Sequence, residues 1–128
     1  MKKILSTTVF DIALVPFPFS DLNLNKRRPC LILSALSPVG LNAHSVVAMI
    51  TSNITGLSFP FDCEIEDFKN AGLPKPSILR LSKLVTIDNQ MILNKLGKLQ
   101  TGDIMKVTEE FKKLFNILLY NHNINKLP

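Results

Sequence analysis

The sequence predicts an α+β fold: a barrel or small sandwich of short antiparallel strands, followed by an amphipathic C-terminal helix that packs on the sheet. Up to residue 87, short runs rich in Val, Ile and Leu alternate with turn-forming Pro, Asn, Gly and Asp. From residue 101 to 120 the apolar residues instead recur every three or four positions, the spacing of a helix with one buried face. With 128 residues, 46% of them hydrophobic, the chain can form one such core but not two.

Four strands are predicted in the first half of the chain. They are residues 11–17, 29–34, 45–51 and 59–65. In the fourth, Phe61, Cys63 and Ile65 alternate with acidic residues at the period of a half-buried strand. Pro16 and Pro18 have no N–H to donate, so we expect the first strand to end there or to lie at an edge of the sheet. The loop to the second strand is long for a hairpin and is therefore a candidate functional loop.

A connector containing one glycine and two prolines leads to the remaining elements. Residues 77–84 and 85–87 are predicted to form a further bent pair of strands. Asp88 is predicted to cap a short helix that ends near Gly97.

The last predicted element is a helix that Thr101 caps and that runs towards Tyr120. Its apolar positions lie opposite charged ones and are Ile104, Val107, Phe111, Leu114, Phe115 and Leu118. We expect this face to cover the sheet, because a small barrel needs a lid to complete its core. A helix that faces a partner protein is the alternative.

Composition favours a soluble, cytoplasmic protein of one domain over residues 1–128, with frayed ends at 1–8 and 121–128. No apolar stretch is long enough to cross a membrane, and the N-terminus lacks a cleavage-site pattern. Cys30 and Cys63 are predicted to be buried free thiols, and the sequence has no Cys-x-x-Cys zinc pattern.

Charge is segregated along the chain, whose net charge is +5. Lys26, Arg27 and Arg28 follow one another between the first two strands, at one edge of the predicted sheet, and form a candidate phosphate site. An acidic block at residues 62–67 precedes a second basic stretch. The alternative is that the lysines only keep an apolar protein soluble.

Conventional catalytic sets are nearly absent. His44 lies in a predicted loop and His122 near the end of the chain, and neither has the neighbours of a triad or a metal centre. Asp62, Glu64 and Glu66 share one strand face and suggest a hard-metal site, although such carboxylates are more often solvated. We therefore expect no metal and no cofactor.

Five short motifs follow one another in a characteristic order. They are the segment Asp11–Ser34 with its Arg28-Pro29 step, Ala48–Asn53, Ala71–Leu73, Ser77–Arg80 and Lys95–Leu99. In this order they resemble the PemK/MazF family of toxins from toxin–antitoxin systems, small endoribonucleases with an SH3-like barrel, and the resemblance covers residues 9–118. One position departs from the family pattern, because Phe10-Asp11 stands where the family has Gly-Asp.

The resemblance implies a catalytic pair, the Arg before Pro and the Thr that ends the third strand, which correspond to Arg28 and Thr51. The further residues that we place at the RNA are Lys26, Arg27, Ser52, Asn53, Ser77 and Arg80. For Lys26 and Arg27 the alternative is a solvated charge, and for Ser77 a structural hydroxyl at a strand start.

RNA cleavage can proceed without a metal, because the 2′-OH beside the scissile phosphate is an internal nucleophile. Arg28 offers a planar fork of donors to the phosphate, and Thr51 offers a hydroxyl. The family account also gives the Arg acid–base work, but a guanidinium stays protonated, so we favour charge stabilisation. The expected products carry a 2′,3′-cyclic phosphate and a 5′-OH.

The resemblance also implies a homodimer with single-stranded RNA in a groove at its interface and a cognate antitoxin as partner. Two other functions stay open. CcdB-like toxins share this barrel but bind DNA gyrase through a carboxy-terminal surface, without the Arg–Thr pair, and cleave nothing. The second alternative is a non-catalytic RNA-binding barrel. The sequence has no Trp and one Tyr, which weakens a base-stacking platform of the usual kind.

Overall fold

The computed structural model describes residues 6–16, 26–36, 43–56 and 58–121. Its strands are β1 Asp11–Pro16, β2 Arg27–Leu36, β3 His44–Thr51, β4 Asp62–Ile65, β5 Ser77–Asp88 and β6 Asn94–Lys98. A 3₁₀ helix, Asn89–Met91, precedes β6, and the helix α1, Thr101–Asn121, follows it. The strands form one curled antiparallel sheet in the order β4-β5-β3-β2-β1-β6, a half-barrel with α1 as its one C-terminal helix. This confirms the predicted fold class, while most of the loop between β1 and β2 lies outside the described residues.

The strands bury side chains on both faces, as their period of two requires. The inner face packs against the helix residue Val107 and includes Ile12, Leu31, Ala48, Ile50, Leu79 and Leu81. The outer face has a second cluster with Ala13, Val15, Cys30, Val47, Met49 and Ile92. The N-terminal part of the predicted apolar face of α1, Ile104, Val107 and Phe111, therefore packs on the sheet, whereas Phe115 of the same face is 42% exposed.

The predicted pair of strands at 77–84 and 85–87 is one strand, β5. It pairs with β3 along its length, and the bend that the sequence suggested is an irregularity in this pairing. Ala48 pairs with Leu84 but Met49 pairs with Arg80, so three residues of β5 bulge between them. The chain bends there without ending the strand.

The predicted helix from Asp88 to Gly97 is wrong. Asp88 does cap a helix, since its Oδ1 accepts the N–H of Gln90 at 2.9 Å, but this is a single 3₁₀ turn. Gly97 lies inside β6, which pairs with β1. The glycine serves a close approach of two backbones: a Cβ there would overlap the carbonyl oxygen of Ala71.

The turn before β1 has a left-handed residue. Phe10 has a φ of 72°, the region that glycine adopts most readily, and its N–H donates to the Ile32 carbonyl at 2.7 Å. The Phe10 ring packs against the inner core and lines a small cavity with Val107 and Phe111. Phe10 thus occupies a turn position that suits glycine, and the PemK/MazF pattern has a glycine at this position.

A buried carboxylate fixes the start of α1. Asp103 is 3% exposed, and its two oxygens accept the backbone N–H groups of Glu66 at 3.0 Å and Asp67 at 2.9 Å. This joins the first turn of the helix to the segment that follows β4. The sequence alone did not indicate this role for Asp103, because an Asp in the first turn of a helix is usually solvated.

Cys30 and Cys63 are free and buried. Burial raises the pKa of Cys30 to about 12 and that of Cys63 to about 11, so both thiols stay protonated at neutral pH. Within the described ranges, no helix has the length and apolar character needed to span a membrane.

Candidate nucleic-acid interface

Arg28 and Thr51 lie in neighbouring strands at the same end of the sheet. The pairing of β2 with β3 runs to Cys30 and Met49, and Arg28 and Thr51 each lie two residues beyond that pair. Residues opposite each other in antiparallel strands project to the same face. Arg28 and Thr51 therefore lie at the same end of adjacent strands, on the face that Cys30 and Met49 share.

Thr51 is the last residue of β3, and its side chain is oriented by the turn that follows. Its Oγ1 accepts the N–H of Asn53 at 3.2 Å. Because the oxygen accepts this bond, the hydroxyl hydrogen is left to donate to another acceptor. Thr51 is half-buried and next to the exposed Ser52.

A cavity of about 530 Å³, the basic cavity, opens beside this end of the sheet. Its polar lining comprises Lys26, Arg27, Arg28, Ser52, Lys75 and Ser77. Of the described residues that line it, none is acidic. Four cations and two hydroxyls around one cavity can hold a polyanion such as a phosphodiester chain.

Two elements distant in sequence form one part of the apolar wall of the basic cavity, to which Leu14, Pro29 and Ile50 also contribute. Leu73 and Pro74 come from the connector before β5, and Leu96 comes from β6. These segments meet where Gly72 and Gly97 let the backbones touch. Sequence reasoning did not identify Lys75, which this connector carries into the cavity between two prolines.

Ser77 and Asn53 have local structural contacts. The Ser77 hydroxyl donates to the Lys75 carbonyl at 2.8 Å, and Ser77 is 3% exposed although it lines the basic cavity. Asn53 is exposed, and its Oδ1 accepts the hydroxyl of Thr55 at 3.2 Å. These two hydrogen bonds stabilise the backbone segments that border the cavity.

Arg80 lies outside the lining of the basic cavity, in a cluster of its own. Its Nε and Nη2 donate to the two oxygens of Asp62, each at 3.2 Å. Its guanidinium carbon lies 4.2 Å from the centre of the Phe59 ring, and Lys83 Nζ lies 5.1 Å from the same ring. This cluster ties the loop before β4 to β5.

The other candidates lie away from the basic cavity or have other contacts. His44 begins β3, so it is at the opposite end of that strand from Thr51. His122 lies outside the described residues. Asp62 binds Arg80 and Glu66 binds Lys106 at 3.1 Å, and in the described part of the chain no three His, Cys, Asp or Glu side chains group as a metal site would require.

Comparison with solved structures shows the same fold in bacterial toxins. The Mycobacterium tuberculosis toxin MazF-mt6 is 24% identical, with a TM-score of 0.62, and the match covers 83% of this chain and 96% of that chain. A mycobacterial endoribonuclease in complex with its cognate antitoxin is 14% identical, with a TM-score of 0.63 over 86% and 95% of the two chains. The MazE–MazF complex from Deinococcus radiodurans is also 14% identical, with a TM-score of 0.65 over 87% and 96%.

A search of curated protein sequences found no match. A family model does match, over residues 8–115, and it describes PemK-like, MazF-like toxins. The matched region contains all six strands and most of α1. The chain therefore belongs to the PemK-like, MazF-like family of toxins of type II toxin–antitoxin systems.

Proposed function

We propose that this toxin is an endoribonuclease that cleaves single-stranded RNA at a phosphate held by Arg28 and Thr51. The observation that supports the proposal is that Arg28 lines the basic cavity and that Thr51, at the same end of the neighbouring strand, directly precedes Ser52, which also lines it. The name of one similar structure, a mycobacterial endoribonuclease bound to its antitoxin, agrees with this activity.

The proposed reaction is internal transfer. The 2′-oxygen attacks the adjacent phosphorus, the bond from phosphorus to the 5′-oxygen breaks, and the products carry a 2′,3′-cyclic phosphate and a 5′-OH. One proton leaves the 2′-OH and one is taken up by the 5′-oxygen. Arg28 donates two parallel hydrogen bonds to the phosphate oxygens and Thr51 a third, where negative charge grows in the transition state.

The remaining residues bind and position the RNA. Lys26, Arg27 and Lys75 neutralise flanking phosphates, and Ser52 donates from the loop after β3. Asn53 orients Thr51 through its N–H, and Ser77 holds Lys75 through the Lys75 carbonyl. Arg80 lies one row further along the sheet, where its guanidinium donates a hydrogen bond to the Asp62 carboxylate.

Cleavage of single-stranded RNA is expected to proceed at the same rate in EDTA as in its absence, because the internal nucleophile needs no metal-activated water. The measurement is the initial rate on a fluorescent RNA with and without chelator. The same RNA with 2′-deoxy sugars is the control and should stay intact. A rate that depends on added divalent ion would contradict internal attack, and so would cleavage of the deoxy substrate.

We further propose that the toxin acts as a homodimer and that its antitoxin covers the basic cavity. An acidic antitoxin segment that folds on binding would compete with RNA by charge and by occupying the same walls. Saturating antitoxin is expected to abolish RNA binding, measured by fluorescence anisotropy with a non-cleavable RNA. Equal RNA affinity for the free and the antitoxin-bound toxin would place the antitoxin elsewhere.

A further inference from the structure

A second cavity of about 340 Å³, here named the base cavity, adjoins the basic cavity. Ser77 lines both of them. The remaining walls are apolar at Ile54, Pro76 and Ile78 and acidic at Asp62 and Glu64. The two cavities therefore share one lining residue and differ in charge, basic in one and acidic in the other.

Strand register relates the base cavity to the proposed catalytic pair. Thr51 pairs with Ile78, and Ile78 pairs with Glu64 on its other side. The three side chains therefore form one row on the face that Arg28 shares. Glu64 stands two strands from Thr51, roughly 10 Å across the sheet at the usual strand spacing.

Of the two carboxylates, only that of Glu64 is open to a ligand. Asp62 accepts hydrogen bonds from Arg80 and from the N–H of Phe59 at 2.9 Å. The Glu64 carboxylate is exposed and has no hydrogen-bond or ion-pair partner among the described residues. Its backbone is fixed, because the Glu64 carbonyl accepts from Lys106 Nζ at 2.9 Å.

A ligand group in the base cavity must not be an anion, must be flat enough to contact two isoleucines and must be able to donate hydrogen bonds. A phosphate is disfavoured, because the unpaired Glu64 carboxylate repels it where the basic cavity attracts it. A nucleobase meets all three requirements, and single-stranded RNA presents bases with their Watson–Crick edges free.

Building on the proposed function, we propose that the base cavity binds the nucleobase next to the scissile phosphate and that Glu64 selects guanine there. Guanine presents two adjacent donors, N1–H and the N2 amino group, which match the two oxygens of a carboxylate. Uracil presents a single N–H between two carbonyl oxygens, which the carboxylate repels. Ile54 and Ile78 contact the faces of the ring, and Glu64 reads its edge.

The test compares the cleavage sites of the wild-type protein and Glu64→Gln on a randomised single-stranded RNA, by sequencing the 5′-OH ends. The wild type is expected to prefer guanine at one position beside the cut. Glu64→Gln, which lacks the second acceptor, should lower that preference on the order of tenfold or more, with other positions unchanged. Glu109→Gln is the matched control, since Glu109 is exposed on α1 and lines neither cavity.

Three results would overturn this inference and leave the proposed function intact. They are a wild-type profile without guanine preference, identical profiles for the wild type and Glu64→Gln, or an equal loss of cleavage at every site. A change only in antitoxin affinity would assign Glu64 to the protein partner and overturn it as well. If the wild type cuts no RNA, the proposed function fails, and that outcome is visible before any variant is compared.

Discussion

Replacing Arg28 with alanine is expected to lower the rate of RNA cleavage on the order of a hundredfold to a thousandfold while the protein stays folded. The guanidinium is proposed to neutralise charge that appears only in the transition state, so the loss falls on kcat more than on KM. Thr51→Val should act in the same direction, because it keeps the shape of the side chain and removes the hydroxyl. Single-turnover kinetics on a short RNA measure both.

Two further substitutions separate geometry from charge at the same site. Arg28→Lys keeps the positive charge but loses the planar fork, so strong impairment is expected if two parallel hydrogen bonds matter. Arg27→Ala, one residue earlier, should mainly weaken binding and flatten its salt dependence. Near-normal cleavage by a well-folded Arg28→Ala protein would remove Arg28 from the mechanism and leave it as a residue that borders a loop.

Replacing Gly97 with alanine is expected to lower the free energy of unfolding by roughly 3 kcal/mol or more. The new methyl group would meet the Ala71 carbonyl oxygen, which is backbone and cannot move aside cheaply. β6 and the connector would separate, and both carry walls of the basic cavity. Urea unfolding monitored by circular dichroism provides the measurement.

Gly102→Ala is the matched control for this change. A Cβ at Gly102 meets nothing within 4 Å, and the residue lies in the first turn of α1. Alanine there should raise the free energy of unfolding by a few tenths to about 1 kcal/mol. Equal effects of the two substitutions would show that the close approach at Gly97 carries no special strain.

Local patterns were sufficient for most of the fold. Alternation identified β4, and apolar spacing identified α1 within one residue of its end at Asn121. The failure at 88–97 has a physical reason: a glycine after an apolar run is typical of a helix C-terminus, but Gly97 serves a contact with Ala71. That contact joins residues far apart in sequence, so no local pattern reports it.

The residues of the candidate site also divide into those that the sequence indicated and those that it did not. The Arg-Pro step and the Thr that ends the third strand were recognisable in the sequence, and both residues lie at the same end of neighbouring strands. Lys75 was missed because its position depends on how the connector packs on β6. Glu64 was weighed only as a metal ligand or a solvated charge, since its place in a row with Thr51 follows from pairing across β5.

The backbone at the candidate site is more constrained within β2 and β3 than just beyond the ends of these strands. Arg28 and Thr51 lie within strands whose hydrogen bonds fix the backbone, whereas Lys26 and Ser52 lie one residue beyond the strand ends. The backbone that carries the two proposed catalytic side chains is therefore ordered before a substrate arrives, and little backbone entropy remains to be lost in aligning them. The residues just beyond the strand ends are less constrained, so the proposed site would combine a fixed centre with borders that adapt to RNA segments of different shape.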